Sequence, residues 1–178
     1  MDLTKLASLF ETDTEFKKGI VFLDIMPALY CPDAFNFLID SLCEPYYNLD
    51  LRGGKLIFAG IESRGTMLAP AMAARMRTGF VAIRKAKKLP RKVYQASYSL
   101  EYGQDTIEVQ QDAFKEGNRI ILVDDVIATG GTLKAAESLV QQAGFTVEGV
   151  AAIMRINEVY DAFPQNHLSA PTHVLFNY

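Results

Sequence analysis

Ile120-Ile121-Leu122-Val123-Asp124-Asp125-Val126-Ile127-Ala128-Thr129-Gly130-Gly131-Thr132 decides how this chain is read. Four apolar residues predict a buried strand; two carboxylates follow, then a turn of small residues that opens a helix. Glycine lets the backbone approach an anion closely. The amides of residues 128–132 and the Thr129 and Thr132 hydroxyls can donate to phosphate oxygens, and the helix N-terminus adds favourable partial charge. Carboxylates repel phosphate, so Asp124 and Asp125 are assigned to sugar hydroxyls. The stretch reads as a cradle for a ribose phosphate. It is not a P-loop, because Gly131 is followed by Thr132 and Leu133 rather than by Lys and a hydroxyl residue. It is not a dinucleotide fingerprint either, since the glycines are too close and acids precede them.

Strand patterns recur on both sides of this centre. Residues 55–59, 80–83, 119–123, 147–154 and 172–176 are apolar runs of strand length, and 65–77 and 131–143 carry helical spacing. Strand, helix, strand with both strands apolar predicts parallel pairing. Residues 94–102 and 106–110 alternate polar and apolar around Gly103-Gln104-Asp105, which predicts an antiparallel hairpin arm. Near the start, 2–11 reads as an amphipathic helix, 19–25 as a short extended piece, and Pro32-Asp33 as the opening of a helix reaching about Tyr47. The expected fold is α/β, a single domain with a central, mostly parallel sheet flanked by helices.

In an open parallel sheet, ligands sit at the carboxyl ends of the strands. Glu62-Ser63-Arg64, Arg84-Lys85 and Asp124-Asp125 each follow a strand directly, so all three are expected on one rim. The segment 84–92 adds further cations (Lys87, Lys88, Arg91, Lys92) and suits a small polyanion. With 178 residues and a formal net charge of -3, the chain lacks the excess of Lys and Arg that a general nucleic-acid binder needs. Two cysteines predict reduced thiols, and no zinc pattern is visible. No apolar run approaches a membrane span, and the N-terminal residues do not read as a signal peptide, so the cytoplasm is the expected location.

Residues 123–132, with Gly60-Ile61-Glu62-Ser63-Arg64-Gly65, Ile83-Arg84-Lys85-Ala86-Lys87-Lys88-Leu89-Pro90 and Ser97-Tyr98-Ser99-Leu100-Glu101-Tyr102-Gly103, resemble in order and spacing the type I phosphoribosyltransferases of adenine. The resemblance runs from about Phe16 to Val150. It implies one phosphoribosyltransferase domain over residues 1–178, with a hood and N-terminal arm over about 1–30 and a mobile flap over about 92–111. It implies transfer of the phosphoribosyl group of phosphoribosyl pyrophosphate to adenine, giving AMP and pyrophosphate. Magnesium would be held through the substrate rather than directly by the protein, and the chain would be a homodimer with no nucleic-acid or membrane partner.

By the same resemblance, Ala128, Thr129, Gly130, Gly131 and Thr132 hold the ribose phosphate. Glu62, Ser63, Arg64, Arg84, Lys85 and Lys88 meet the pyrophosphate. Asp124, Asp125 and the flap residue Glu101 are catalytic, with Tyr102 assisting closure, and Glu101 handles the proton at the purine. Glu62-Ser63 also falls where the family carries a strained peptide. Val21, Phe22, Leu23, Ile127 and Ile156 meet the purine. Two positions depart from the family: Leu23 stands where a basic residue is usual, and Arg155 precedes Ile156 where an acidic or apolar residue is common. A cation at Arg155 is expected to stand in for the one missing at Leu23. Two alternatives remain beside adenine transfer: an enzyme for hypoxanthine, guanine or xanthine, and a non-catalytic module that senses the donor.

Overall fold

The computed structural model describes residues 1–17, 20–49, 56–99 and 103–178, with backbone alone for 12–17 and 20–22. The chain packs as two units, Met1–Ser41 and Leu42–Tyr178.

The first unit opens with α1 (Leu3–Ala7), capped by Asp2, whose carboxylate accepts the Lys5 N–H at 2.8 Å. The helix is half the length expected, because it closes at Ser8 and the chain turns extended for β1 (Glu11–Lys17). β1 pairs antiparallel with β2 (Ile20–Asp24), the extended piece read from the sequence. β1 itself escaped that reading, since Glu11-Thr12-Asp13-Thr14-Glu15 offers no apolar alternation. The Met26 N–H donates to Asp24 Oδ1 at 3.0 Å, which starts α2 (Met26–Tyr30), and α3 follows (Pro32–Cys43). A 3-10 turn over Glu44–Tyr46 then replaces the helical continuation expected to Tyr47, with Pro45 unable to supply an amide.

The second unit holds the sheet. Its strands are β3 (Leu56–Ile61), β4 (Gly79–Lys85), β5 (Val93–Ser99), β6 (Gln104–Gln110), β7 (Arg119–Ile127), β8 (Val147–Arg155) and β9 (Thr172–Asn177), in the order β5-β6-β4-β3-β7-β8-β9. β4, β3, β7, β8 and β9 run parallel, and the β5–β6 hairpin joins antiparallel at the β4 edge. The expected α/β architecture is the one observed. Helix α4 (Gly65–Met76) crosses between β3 and β4, and α5 (Gly131–Gln142) between β7 and β8.

Apolar runs without alternation are explained by layers on both faces. Ile120 and Leu122 pack with Leu133, Ala136, Leu139 and Val140 of α5. Ile121 and Val123 are equally inaccessible and point to the opposite face. On α4, Gly65 touches the centre of β7: a Cβ there would lie 2.2 Å from the Val123 carbonyl oxygen. Only glycine permits so close an approach. That contact brings the start of α4 against β7 beside Asp124. No described helix is long and apolar enough to cross a membrane, and Cys31 and Cys43 are not joined in a disulfide.

Candidate active site

The carboxyl ends of β3, β4 and β7 bring the three charged segments together. After Ile61 the chain turns through a cis Glu62–Ser63 peptide, and the Glu62 N–H donates to the Ile83 carbonyl at 2.9 Å. The Glu62 carboxylate then organises the neighbouring strand end. Its Oε2 accepts from Arg84 Nε at 3.0 Å and from the Lys85 N–H at 2.8 Å, and its Oε1 from Lys88 Nζ at 2.7 Å. Burial alone would raise the Glu62 pKa, but the bonds from Lys88, Arg84 and the Lys85 amide outweigh it and hold the carboxyl at about 2. Ser63 and Arg64 lead into α4, where the Thr66 hydroxyl donates to the Ser63 carbonyl at 2.6 Å.

β7 continues four residues beyond the expected end at Val123, so Asp124 and Asp125 are strand residues and strand alternation sends them to opposite sides. Asp125 is buried, and its Oδ2 meets Arg64 Nη1 at 2.5 Å. Asp124 lines a cavity of about 80 Å³ with Ala128, Thr129, Gly130, Gly131 and Thr132. Its Oδ1 accepts the Asp125 N–H at 2.9 Å. Burial first, and the Asp125 charge second, push the Asp124 carboxyl well above the usual carboxylate range.

Around this cavity the bend 128–132 leads from β7 into α5. Gly130 takes φ +77° at the helix N-cap, a conformation L residues disfavour, and the Gly131 N–H reaches Thr129 Oγ1 at 3.4 Å. The cavity therefore has backbone amides and a helix N-terminus on one wall and a carboxylate on another, the polarity that a phosphorylated sugar requires.

The hairpin adds two groups that the sequence did not single out. Asp105 accepts from Lys85 Nζ at 2.9 Å and from the Tyr98 hydroxyl at 3.3 Å, and Tyr98 also bonds to Thr132. The Lys85 ammonium is the main cause that keeps Asp105 below its ordinary pKa. A chain of contacts thus joins the cations after β4 to the bend before α5. Asp105 was read only as a turn residue; its place one residue inside β6, opposite Tyr98, is the signal that could have found it. Arg64, Arg84, Lys85 and Lys88 each contact an acid, which offsets the repulsion among like charges.

At the tips of β7 and β8, the Ile156 N–H donates to the Ile127 carbonyl at 3.0 Å, so these two candidate purine contacts are neighbours. Arg155 turns toward α6 (Asn157–Asp161): Nε donates to Asn157 Oδ1 at 2.8 Å, and the guanidinium lies 5.6 Å from the centre of the Tyr160 ring. Val21, Phe22 and Leu23 belong to β2 in the first unit, where Leu23 is half-buried and pairs with Thr12. Glu101 and Tyr102 lie outside the described residues. Among the described residues, no three of His, Cys, Asp and Glu cluster as a metal cage. The carboxylates of Asp124 and Asp125 beside the bend 128–132 are the donor type that suits magnesium held mainly by a ligand's phosphates.

Comparison with known proteins follows the same lines. A family profile described as phosphoribosyl transferase domain matches residues 32–162, past the expected limit at Val150. An adenine phosphoribosyltransferase of Nitrosopumilus maritimus is 44% identical over 145 residues, 80% of this chain and 82% of that protein. The crystal structure of adenine phosphoribosyltransferase from Rhodothermus marinus is similar with TM-score 0.89 and 37% identity, covering 99% of this chain and 98% of the other. The Saccharomyces cerevisiae enzyme, complexed with an imino-altritol bisphosphate and adenine, is similar with TM-score 0.87 and 32% identity, covering 97% of each chain. With its glycine-containing bend, acid pair and cationic rim in the expected order, and relatives this similar across most of its length, the chain belongs to the phosphoribosyltransferase family, among the adenine phosphoribosyltransferases.

Proposed function

We propose that this chain transfers the phosphoribosyl group of phosphoribosyl pyrophosphate to N9 of adenine, yielding AMP and pyrophosphate. The observation that carries the reading is the rim itself, where Asp124, the bend 128–132 and the cations anchored by Glu62, Asp105 and Asp125 converge. In the reaction the bond from ribose C1′ to the pyrophosphate oxygen breaks, the bond from C1′ to N9 forms, and the N9 proton leaves. Positive charge grows on the ribose ring as negative charge grows on the leaving group.

Each group has a place in that separation. The amides of Ala128 to Thr132 grip the 5′-phosphate and fix the sugar, a contribution through orientation. Asp124, on the cavity side, accepts from the ribose hydroxyls, and the negative charges of Asp124 and Asp125 together favour the cationic ring electrostatically. Arg64, Arg84, Lys85 and Lys88 exchange their acidic partners for pyrophosphate oxygens, together with the backbone at Glu62 and Ser63. These contacts strengthen as the leaving group gains charge, which is the condition for catalysis. Magnesium, when bound through the donor with Asp124 or Asp125 nearby, supplies further neutralisation of the departing oxygens. Glu101 takes the purine proton, Tyr102 closes with it, and Ile127 and Ile156 meet the base. The same reading makes the chain a cytoplasmic homodimer, with half-exposed Met67 on α4 among its contacts.

The test is pyrophosphate release from phosphoribosyl pyrophosphate and magnesium with each purine in turn. Turnover with adenine is expected. Turnover with an oxopurine instead would reassign specificity and trace it to Leu23, which offers no charge where the family usually places one. Donor binding with no turnover on any purine would reduce the chain to a sensing module.

A further inference from the structure

We infer that Asn166, in the 3-10 turn Pro164–Asn166, is a positioning residue that aims the Gly130 amide at the bound phosphate. The inference rests on reading the bend 128–132 as the phosphate site. Asn166 Nδ2 donates to the Thr129 carbonyl at 3.0 Å, across 37 residues of sequence. The Thr129–Gly130 peptide is trans, so its carbonyl and its N–H point in opposite directions. Anchoring the carbonyl to Asn166 therefore directs the Gly130 N–H away from Asn166.

Two cavities meet at this loop and show which side is which. Gly130 lines the 80 Å³ cavity with Asp124, whereas Asn166 lines a separate cavity of about 390 Å³ beside Thr129, Gly131 and Lys134. Asn166 thus stands behind the loop, and the amide faces the side where the acid is. Tyr160 closes the rear of the bend: a Cβ on Gly130 would lie 2.7 Å from its ring and 3.0 Å from the Asn166 carbonyl oxygen. Tyr160 is itself fixed, with its hydroxyl accepting the Leu168 N–H at 2.9 Å and the His167 ring stacked on it at 4.6 Å. The buried Glu137 of α5 accepts the Ser169 and Ala170 amides at 3.0 and 3.2 Å, tying the segment to the helix that the bend begins. The C-terminal segment, where the sequence resemblance fades, supplies this buttress.

The test uses Asn166→Asp, which keeps the size but replaces the donor amide with a carboxylate that repels the Thr129 carbonyl. AMP and adenosine, which differ in the 5′-phosphate, are titrated into the full chain by calorimetry, and the Gly130 amide is followed by nitrogen-15 NMR. AMP is expected to bind about tenfold or more weakly to the variant, from loss of an aligned charge-assisted hydrogen bond. Adenosine binding should stay within about twofold, and the Gly130 amide shift caused by AMP should disappear while that of Thr132 persists. Equal weakening of AMP and adenosine would reveal a merely structural residue and overturn the inference, as would unchanged AMP affinity. If the aspartate fails to fold, Asn166→Ala gives the same comparison. A wild-type chain that binds AMP no better than adenosine would remove the phosphate-site reading along with this one, whereas failure in the variant alone removes only this one.

Discussion

Glu62→Gln separates the organising role of this carboxylate from any contact it makes with a ligand. Glutamine keeps the size but loses the charge that holds Arg84 and Lys88, and its amide end meets a cation unfavourably. A fall of the Glu62 carboxyl from its ordinary 4.5 to about 2 corresponds to roughly 3 kcal/mol of native-state stabilisation. The Arg84 and Lys88 side chains are 36% and 48% exposed, so solvent screening trims the expected loss to about 2 kcal/mol. For a chain of this size that is a fall of about 6 °C in Tm. The sign with pH follows from linkage: a depressed carboxyl stabilises fully above its unfolded pKa and loses that contribution as pH falls through the folded one. Urea unfolding of wild type and variant at pH 7, 5, 4 and 3 should therefore show a gap of about 2 kcal/mol that persists to about pH 4.5 and shrinks steadily toward pH 2. A gap that is absent at pH 7, or that stays constant down to pH 3, would refute the argument.

Three further outcomes follow from the same geometry. Gly65→Ala places a methyl 2.2 Å from the Val123 carbonyl oxygen, a backbone atom that cannot yield easily, so thermal unfolding should show a loss of about 3 kcal/mol; an unchanged Tm would mean that α4 does not approach β7 so closely. Asp124 holds its proton to higher pH than an ordinary carboxyl, and a ligand that needs it ionised must displace that proton. Calorimetry of donor and magnesium binding should thus record proton release and an affinity that rises with pH, both abolished in Asp124→Asn; a pH-independent wild type would contradict this. Met67→Glu should shift light-scattering mass from two chains toward one, while a monomeric wild type would eliminate the proposed dimer.

The sheet was legible because burial on both faces writes itself into sequence as uninterrupted apolar runs: Ile120 to Val123 could be little else than a central strand. What followed was harder to read. Asp124 and Asp125 interrupt the run, so hydropathy ended β7 at Val123, although the backbone keeps pairing with β8 as far as Ile127 opposite Arg155. Short elements such as α2 and α6 span too few turns to establish a period, and β1 is specified by its backbone partner rather than by its own side chains.

The candidate site divides in the same way. Residue types at strand ends located Glu62, Arg64, Arg84, Lys85 and Asp124 on one rim, but their pairings depend on contacts across 20 or more positions, as in Lys88 with Glu62. Tyr98 with Asp105 follows only from the hairpin register, and Asn166 with Thr129 had no local pattern to announce it. Pro164-Gln165-Asn166-His167 looks like any turn until the loop it supports is known.

A crystal structure of the chain with AMP bound tests the central claim most directly. The account predicts the phosphate enclosed by the amides of residues 128–132 and the ribose hydroxyls within hydrogen-bonding distance of Asp124 or Asp125. AMP bound with its phosphate elsewhere, or with both carboxylates turned away from the sugar, would contradict it.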